Sequence, residues 1–217
     1  MNEKYSSNWV EESGLNLDPG YCITAVRGIG PRDSLHRFGI HDSSLLTSLW
    51  SELAARAREV SEPAYDAVPI AAFAIEDFTV IVEENGYRGS IDELLESLSR
   101  GTAAVNVYLS PSSGGQELKI FEDGRQIAYI DGDSPDEIDT LDSELRIRLN
   151  QLIDITSGPL DSESDPQEVP EDEGDAEWAD LLQVACEYLG LQPQISHVSG
   201  PVLGAVDSLQ ATYGIVK

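Results

Sequence analysis

The side chains with which this chain could do chemistry are three histidines, two cysteines and a large excess of carboxylates. Their spacing argues against most reactions. His36 and His41 flank a turn, at a separation that does not face one side of a helix, and His197 is remote in sequence. No cysteine stands near them and no His-Glu-x-x-His pattern occurs, so they read as solvated or capping histidines rather than zinc ligands. Asp131, Asp133, Glu137 and Asp142 are spaced somewhat like a calcium loop. That loop needs Asp, Asn or Ser at its fifth position and Gly at its sixth, where this chain has Pro135 and Asp136. Its twelfth position holds Asp142 instead of Glu. The motif fails at its geometric centre and leaves only weak cation binding.

Phosphate chemistry fares no better. Gly28-x-Gly30 sits between an expected strand and helix, but the third glycine of a dinucleotide fingerprint is missing from its required place. A tight strand-to-helix turn explains both glycines. Ser112-Ser113-Gly114-Gly115 joins strand to strand and is not followed by Lys-Ser/Thr, so it is no P-loop. No Gly-x-Ser-x-Gly elbow occurs. Acidic pairs such as Glu83-Glu84 and Asp92-Glu93 are too common to single out for acid–base work. No reaction and no cofactor is indicated.

The charge is more informative. Forty acids against thirteen bases give a formal net of -27. From Asp131 to Asp175 there are sixteen acids and only two bases, Arg146 and Arg148, so half the imbalance lies in a fifth of the chain. Such a surface repels nucleic acid and anionic membrane and attracts basic proteins.

The elements that must carry this charge follow from pattern. Residues 1–19 read as an irregular lead docked by Trp9 and Val10. Tyr21 to Val26 is β-branched and aromatic, a strand ended by Gly28 and Gly30. Pro31 opens a short helix with Leu35 and Phe38 inward. Leu46, Leu49, Trp50, Leu53, Ala57 and Val60 predict an amphipathic helix capped by Asp42 to Ser44. Val68 to Ile75 and Phe78 to Val82, split only by Glu76-Asp77, predict a central antiparallel hairpin covered on both faces. Ser90 and Glu93 form a capping box before Leu94, Leu95 and Leu98.

Strands follow at Ala103–Leu109, Glu117–Glu122 and Arg125–Ile130, the last two joined by Asp123-Gly124, a type I′ signal. After an acidic turn, Leu141 to Ile155 has helical spacing. Residues 160–175 are nearly devoid of apolar side chains and read as an acidic linker, because ordering them gains little buried area against about 1–2 kcal/mol per residue of backbone entropy. Two closing helices are expected, one through Leu181 to Leu189 and one opened by Pro201 with Leu203, Val206, Leu209 and Tyr213 on a face.

The fold class is therefore α+β: a mostly antiparallel sheet of about six strands packed with helices, plus a C-terminal helical pair. The domain plan is a lead over 1–19, an α+β body over 20–158, a linker over 159–175 and the helical pair over 176–217. Hydrophobic content of 41% is enough to build a core. No apolar run is long enough to span a bilayer. The N-terminus lacks the basic start and apolar stretch of a signal peptide, so a cytoplasmic location is expected. Cys22 and Cys186 each lie in an apolar periodic segment, where free cysteine acts as a small hydrophobe.

Three stretches together carry a resemblance. They are Gly20-Tyr21-Cys22-Ile23-Thr24-x-Val26-Arg27-Gly28 with its following Pro31, Tyr65-Asp66-x-Val68-Pro69-Ile70 running through Phe78 to Gly86, and Ala185-Cys186-Glu187-Tyr188-Leu189-Gly190. Their order resembles the actinobacterial domain-of-unknown-function family 6461, over about residues 8–155 plus the C-terminal helix. The motifs are structural, and the resemblance implies no catalytic residues. The acidic insertion at 160–175 departs from it.

The expectation is a non-enzymatic acidic binding protein that recognises and neutralises a basic partner, toxin-like or nucleic-acid-acting, as immunity proteins do. The alternatives are a DNA mimic or anti-restriction factor, an enzyme with carboxylates in a cleft, and a regulatory scaffold whose acidity serves solubility. For the first reading the contact residues are Asp131, Asp133, Asp136, Glu137 and Asp139, which follow a strand end and so are better fixed than the linker acids. Trp178 is a candidate aromatic anchor.

Overall fold

The computed structural model describes residues 15, 20–61, 67–110, 112–156 and 180–208. One antiparallel sheet organises them. Its strands are β1 (Tyr21–Arg27), β2 (Leu46–Ser48), β3 (Ala67–Ile75), β4 (Phe78–Glu84), β5 (Ala103–Leu109), β6 (Gln116–Glu122), β7 (Arg125–Asp131) and β8 (Val202–Ser208). They lie side by side in the order β2-β8-β3-β4-β1-β5-β6-β7. The helices are α1 (Pro31–Arg37), α2 (Trp50–Ser61), α3 (Asp92–Ser99), α4 (Ser143–Thr156), α5 (Leu181–Leu189) and the short α6 (Ile195–Val198). This is the α+β fold expected, with eight strands where pattern alone suggested about six.

Alternation along each strand sends successive side chains to opposite faces. Ile23, Ala25, Val80, Val105 and Val107 share one apolar cluster with Trp50 and Leu53 of α2, Leu149 and Ile153 of α4, and Leu182 and Ala185 of α5. Val26, Ile70, Ile81 and Ala104 share another with Leu35 of α1, Phe38 just past its end, and Leu95 and Leu98 of α3. The central strands are thus buried on both faces, which is why β3 and β4 read as unbroken apolar runs. The tight turns hold as expected. Asp123 and Gly124 have φ of 48° and 75°, the pair of positive values a type I′ turn requires.

Three local expectations are corrected. Leu46 to Ser48 is an edge strand on β8, and the helix begins at Trp50. Leu49 and Val60, placed on its apolar face by spacing, are 40% and 63% exposed. The Ser90–Glu93 capping box does not form: Ser90 lies in a 3-10 turn (Arg88–Ser90), and its hydroxyl donates to Tyr87 O at 2.9 Å.

The largest correction is at the C-terminus. The segment after Pro201 is no helix but strand β8, seated between β2 and β3, so the C-terminal helical pair reduces to α5 and the single-turn α6. Val202 and Ala205 are buried on opposite faces, and strand and helix periods cannot be told apart in so short an apolar run. The expected acidic linker at 159–175, with Trp178, and the lead's Trp9 and Val10 lie outside the described residues, as do Leu209 and Tyr213.

Gly204 makes this seating possible, because a Cβ there would strike the Ile70 carbonyl and lie 2.7 Å from Leu53 Cδ1. The sign of one substitution separates the two structures. In a helix, Gly204→Ala would stabilise by about 1 kcal/mol. In strand β8 it should destabilise by about 1–3 kcal/mol through overpacking, read as a lower urea midpoint.

Candidate functional site

Register builds a polar stripe across one face of the sheet. Cys22 of β1 pairs with Glu83 of β4 on one side and Tyr108 of β5 on the other. Tyr108 pairs with Glu117 of β6, and Glu117 with Asp131 of β7. One step along the strands, Thr24 pairs with Asn106, Asn106 with Lys119 and Lys119 with Tyr129. Polar side chains therefore run from the sheet centre to its β7 edge.

The inner end of the stripe is sealed. Glu83, Thr24, Asn106 and Arg88 are all within 3% of full burial. The Glu83 carboxylate accepts the backbone N–H groups of Arg88, at 3.1 Å, and Gly89, at 2.8 Å. Cys22 donates its thiol to the same carboxylate. The Asn106 amide donates to Thr24 Oγ1 at 2.9 Å and Cys22 Sγ at 3.1 Å. Arg88 in turn donates to Phe38 O at 3.1 Å and pairs with Asp207 of β8. Glycines let the loop come this close. A Cβ on Gly86 would lie 2.7 Å from Glu83 Cβ, and one on Gly89 would lie 2.8 Å from Cys22 Sγ. Burial raises the Glu83 pKa to about 7, against the pull of its N–H donors and Arg88. It raises the Cys22 thiol too, aided by the neighbouring Glu83 charge. This end is a clamp on the loop.

The outer end opens to solvent. Tyr108, Glu117 and Tyr129 are partly covered and Asp131 is exposed. Lys119 ties the two ends, donating to Ser90 O at 2.8 Å and pairing with Asp92 at 2.9 Å and Glu117 at 3.6 Å. Burial opposes the Lys119 charge, but the hydrogen bond to Asp92 and the attraction of Glu117 outweigh it and raise its pKa. Burial raises Glu117, partly offset by Lys119 and reinforced by Asp92 and Asp131. Tyr129 is raised by burial and then by Glu117 and Asp131, so phenol and carboxylates share one field.

The acidic turn is built onto this end. Gly132 donates to Gln116 O at 2.8 Å, and a Cβ there would lie 2.9 Å from Gln116 Cβ. Ser134 N–H bonds Asp131 O at 3.1 Å and Glu137 N–H bonds Ser134 O at 2.9 Å. Asp139 then exchanges two backbone bonds with Tyr129, at 2.9 and 3.0 Å, while Ile138 is buried in the core. Of the expected contact residues, Asp131 and Asp133 stand beside Tyr129, Asp136 and Glu137 are exposed farther along the turn, and Asp139 returns to the β7 edge. Trp178 lies outside the described residues. The calcium-like oxygens are turned to the backbone: Asp131 accepts Asp133 N–H at 3.0 Å, and Asp142 accepts Glu144 N–H at 2.8 Å. Among the described residues no group of three or more His, Cys, Asp or Glu could hold a metal. Cys22 and Cys186 are both buried and are not joined by a disulfide.

Glu117, Tyr108, Tyr129 and Lys119 were not singled out by sequence, because only strand register brings them together. A polar residue set in an apolar strand, as Thr24, Glu83 and Asn106 are, was the available signal.

Fold and site define an α+β protein with one helix-packed antiparallel sheet and an ordered acidic surface at its β7 edge. The chain belongs to a family of unknown function (DUF6461), whose model matches residues 4–179. No curated protein and no solved structure matches it.

Glu83 makes stability depend on pH. With a folded pKa near 7 against 4.5 unfolded, the unfolded chain releases this proton first as pH rises. Stability from this group is full below pH 4.5 and is lost by about pH 7, by about 3 kcal/mol for such a shift. Glu83→Gln removes the titration. The difference in unfolding free energy, wild type minus variant, should therefore fall between pH 4.5 and 7.5 in urea titrations.

Proposed function

We propose that this protein is a non-enzymatic binding protein that recognises and neutralises a basic protein partner, toxin-like or nucleic-acid-acting, as an immunity-like component of a bacterial conflict system. A cytoplasmic, actinobacterial setting belongs to the same proposal. The observation that carries it is the fixed acidic face: Asp131 and Asp133, held by the turn onto β7, beside half-buried Glu117 and the two tyrosines. A charged surface held by backbone hydrogen bonds meets a partner without first losing conformational entropy. The net of -27 adds long-range steering, which raises association rates by up to ~10³ and falls with salt. Tyrosines at such a face offer flat area for arginine and lysine heads.

The test is co-purification from the native host at low salt with three matched baits. One is wild type, one carries Asp131→Asn, Asp133→Asn and Glu117→Gln, and one loses three exposed acids elsewhere through Asp33→Asn, Glu59→Gln and Asp77→Asn. A basic protein retained by wild type and the remote variant, bound at least tenfold more weakly by the face variant and released by high salt, is the expected outcome. Equal loss by both variants, or retention indifferent to salt, would defeat the proposal.

A further inference from the structure

Beside the acidic turn lies a groove outside the polar stripe. It encloses about 280 Å³ between the β6–β7 hairpin and the lead into α4. Ile127, Leu141 and Leu145 give it an apolar side, and Glu122, Asp139 and Asp142, with the neutral Gln126 and Thr140, line the rest. Asp142 already caps α4 through the N–H groups of Glu144 and Leu145. The carboxylates of Glu122 and Asp139 accept no hydrogen bond and pair with no base among the described residues. Leu141 is fully exposed, although a leucine gains most when buried.

We propose that this groove receives one arginine or lysine side chain of the basic protein partner, its methylene stem on Ile127, Leu141 and Leu145 and its charged head at Glu122 and Asp139. This rests on the reading of a basic partner given above and assigns that partner a specific anchor. A groove of about 280 Å³ has room for an arginine or lysine side chain but also approaches the roughly 300–1,000 Å³ of small-molecule pockets, so size alone does not choose the occupant. The lining selects the occupant. Long basic side chains lay an apolar stem on apolar surface and keep the head polar. A wholly apolar group would strip water from two carboxylates and return no hydrogen bond. A phosphate would meet like charge, and a second copy would bring its own net of -27. Arginine fits better than lysine because its planar fork can bond two carboxylate oxygens at once. The groove is also continuous with the acidic turn, which ends at Asp139.

The test uses the full chain, labelled for NMR at its methyl groups and its backbone amides, and two blocked tripeptides, Leu-Arg-Leu and Leu-citrulline-Leu, which differ mainly in charge. The arginine peptide should move the methyl signals of Ile127, Leu141 and Leu145, and the citrulline peptide should bind at least tenfold more weakly. Leu141→Ala alters a fully exposed side chain, so the fold should persist, and should weaken the arginine peptide at least threefold. Equal binding of both peptides would overturn the inference, as would groove signals that shift with protein concentration alone. If only the Asp131 and Asp133 amides respond, the groove assignment fails and the acidic-face reading stands. No response anywhere defeats both.

Discussion

The structure depends on one buried carboxylate. Glu83 sits at the centre of an apolar sheet, where an isolated charge would be very costly, and it is tolerated because two backbone N–H groups and a thiol point at it. The two N–H donors belong to the loop that leaves β4 and the thiol is that of Cys22 on β1, so satisfying Glu83 folds the loop back over the sheet. Arg88 is then placed to reach the end of α1 through Phe38 O and the C-terminal strand through Asp207. A single acid thereby joins β4, β1, α1 and β8, segments far apart in sequence. Gly86 and Gly89 are the sterically permitted residues at the two closest approaches.

The same stripe changes character as it crosses the sheet. At β4 and β1 its polar groups are sealed and serve folding. At β6 and β7 they emerge as Glu117, Tyr129 and Asp131, and the acidic turn extends the surface. Lys119 is the internal counter-ion between these regimes, and its pairing with Asp92 and Glu117 keeps two like charges close without splaying the strands. At the acidic turn Asp131 and Asp142 accept backbone N–H groups, while Asp136 and Glu137 are exposed to solvent. What this face offers is a fixed field and a partly aromatic floor, the two features on which the proposed recognition of a basic partner rests.

Much of this was legible in the residues. The β3–β4 hairpin, the Asp123-Gly124 turn, α1 and the acidic turn all rest on local signals, and local signals survive into the fold. Strand β8 did not, because its partner β3 lies some 130 residues earlier in the chain and a short apolar run carries both periods. Edge strand β2 failed for the same reason, being three residues long and defined only by β8. At the site, Asp131 to Asp139 was readable from charge and position. Glu117 and the tyrosines were not, since cross-strand neighbours are set by register and not by sequence distance.

The central claim is that the acids of this edge are held in place before any partner arrives. Amide hydrogen exchange of the free protein across residues 129–142 tests it directly. The account predicts slow exchange at Tyr129, Gly132, Glu137 and Asp139, whose N–H groups are bonded to backbone carbonyls, with free exchange at the exposed Asp136. Exchange at unprotected-coil rates across the whole turn would contradict it.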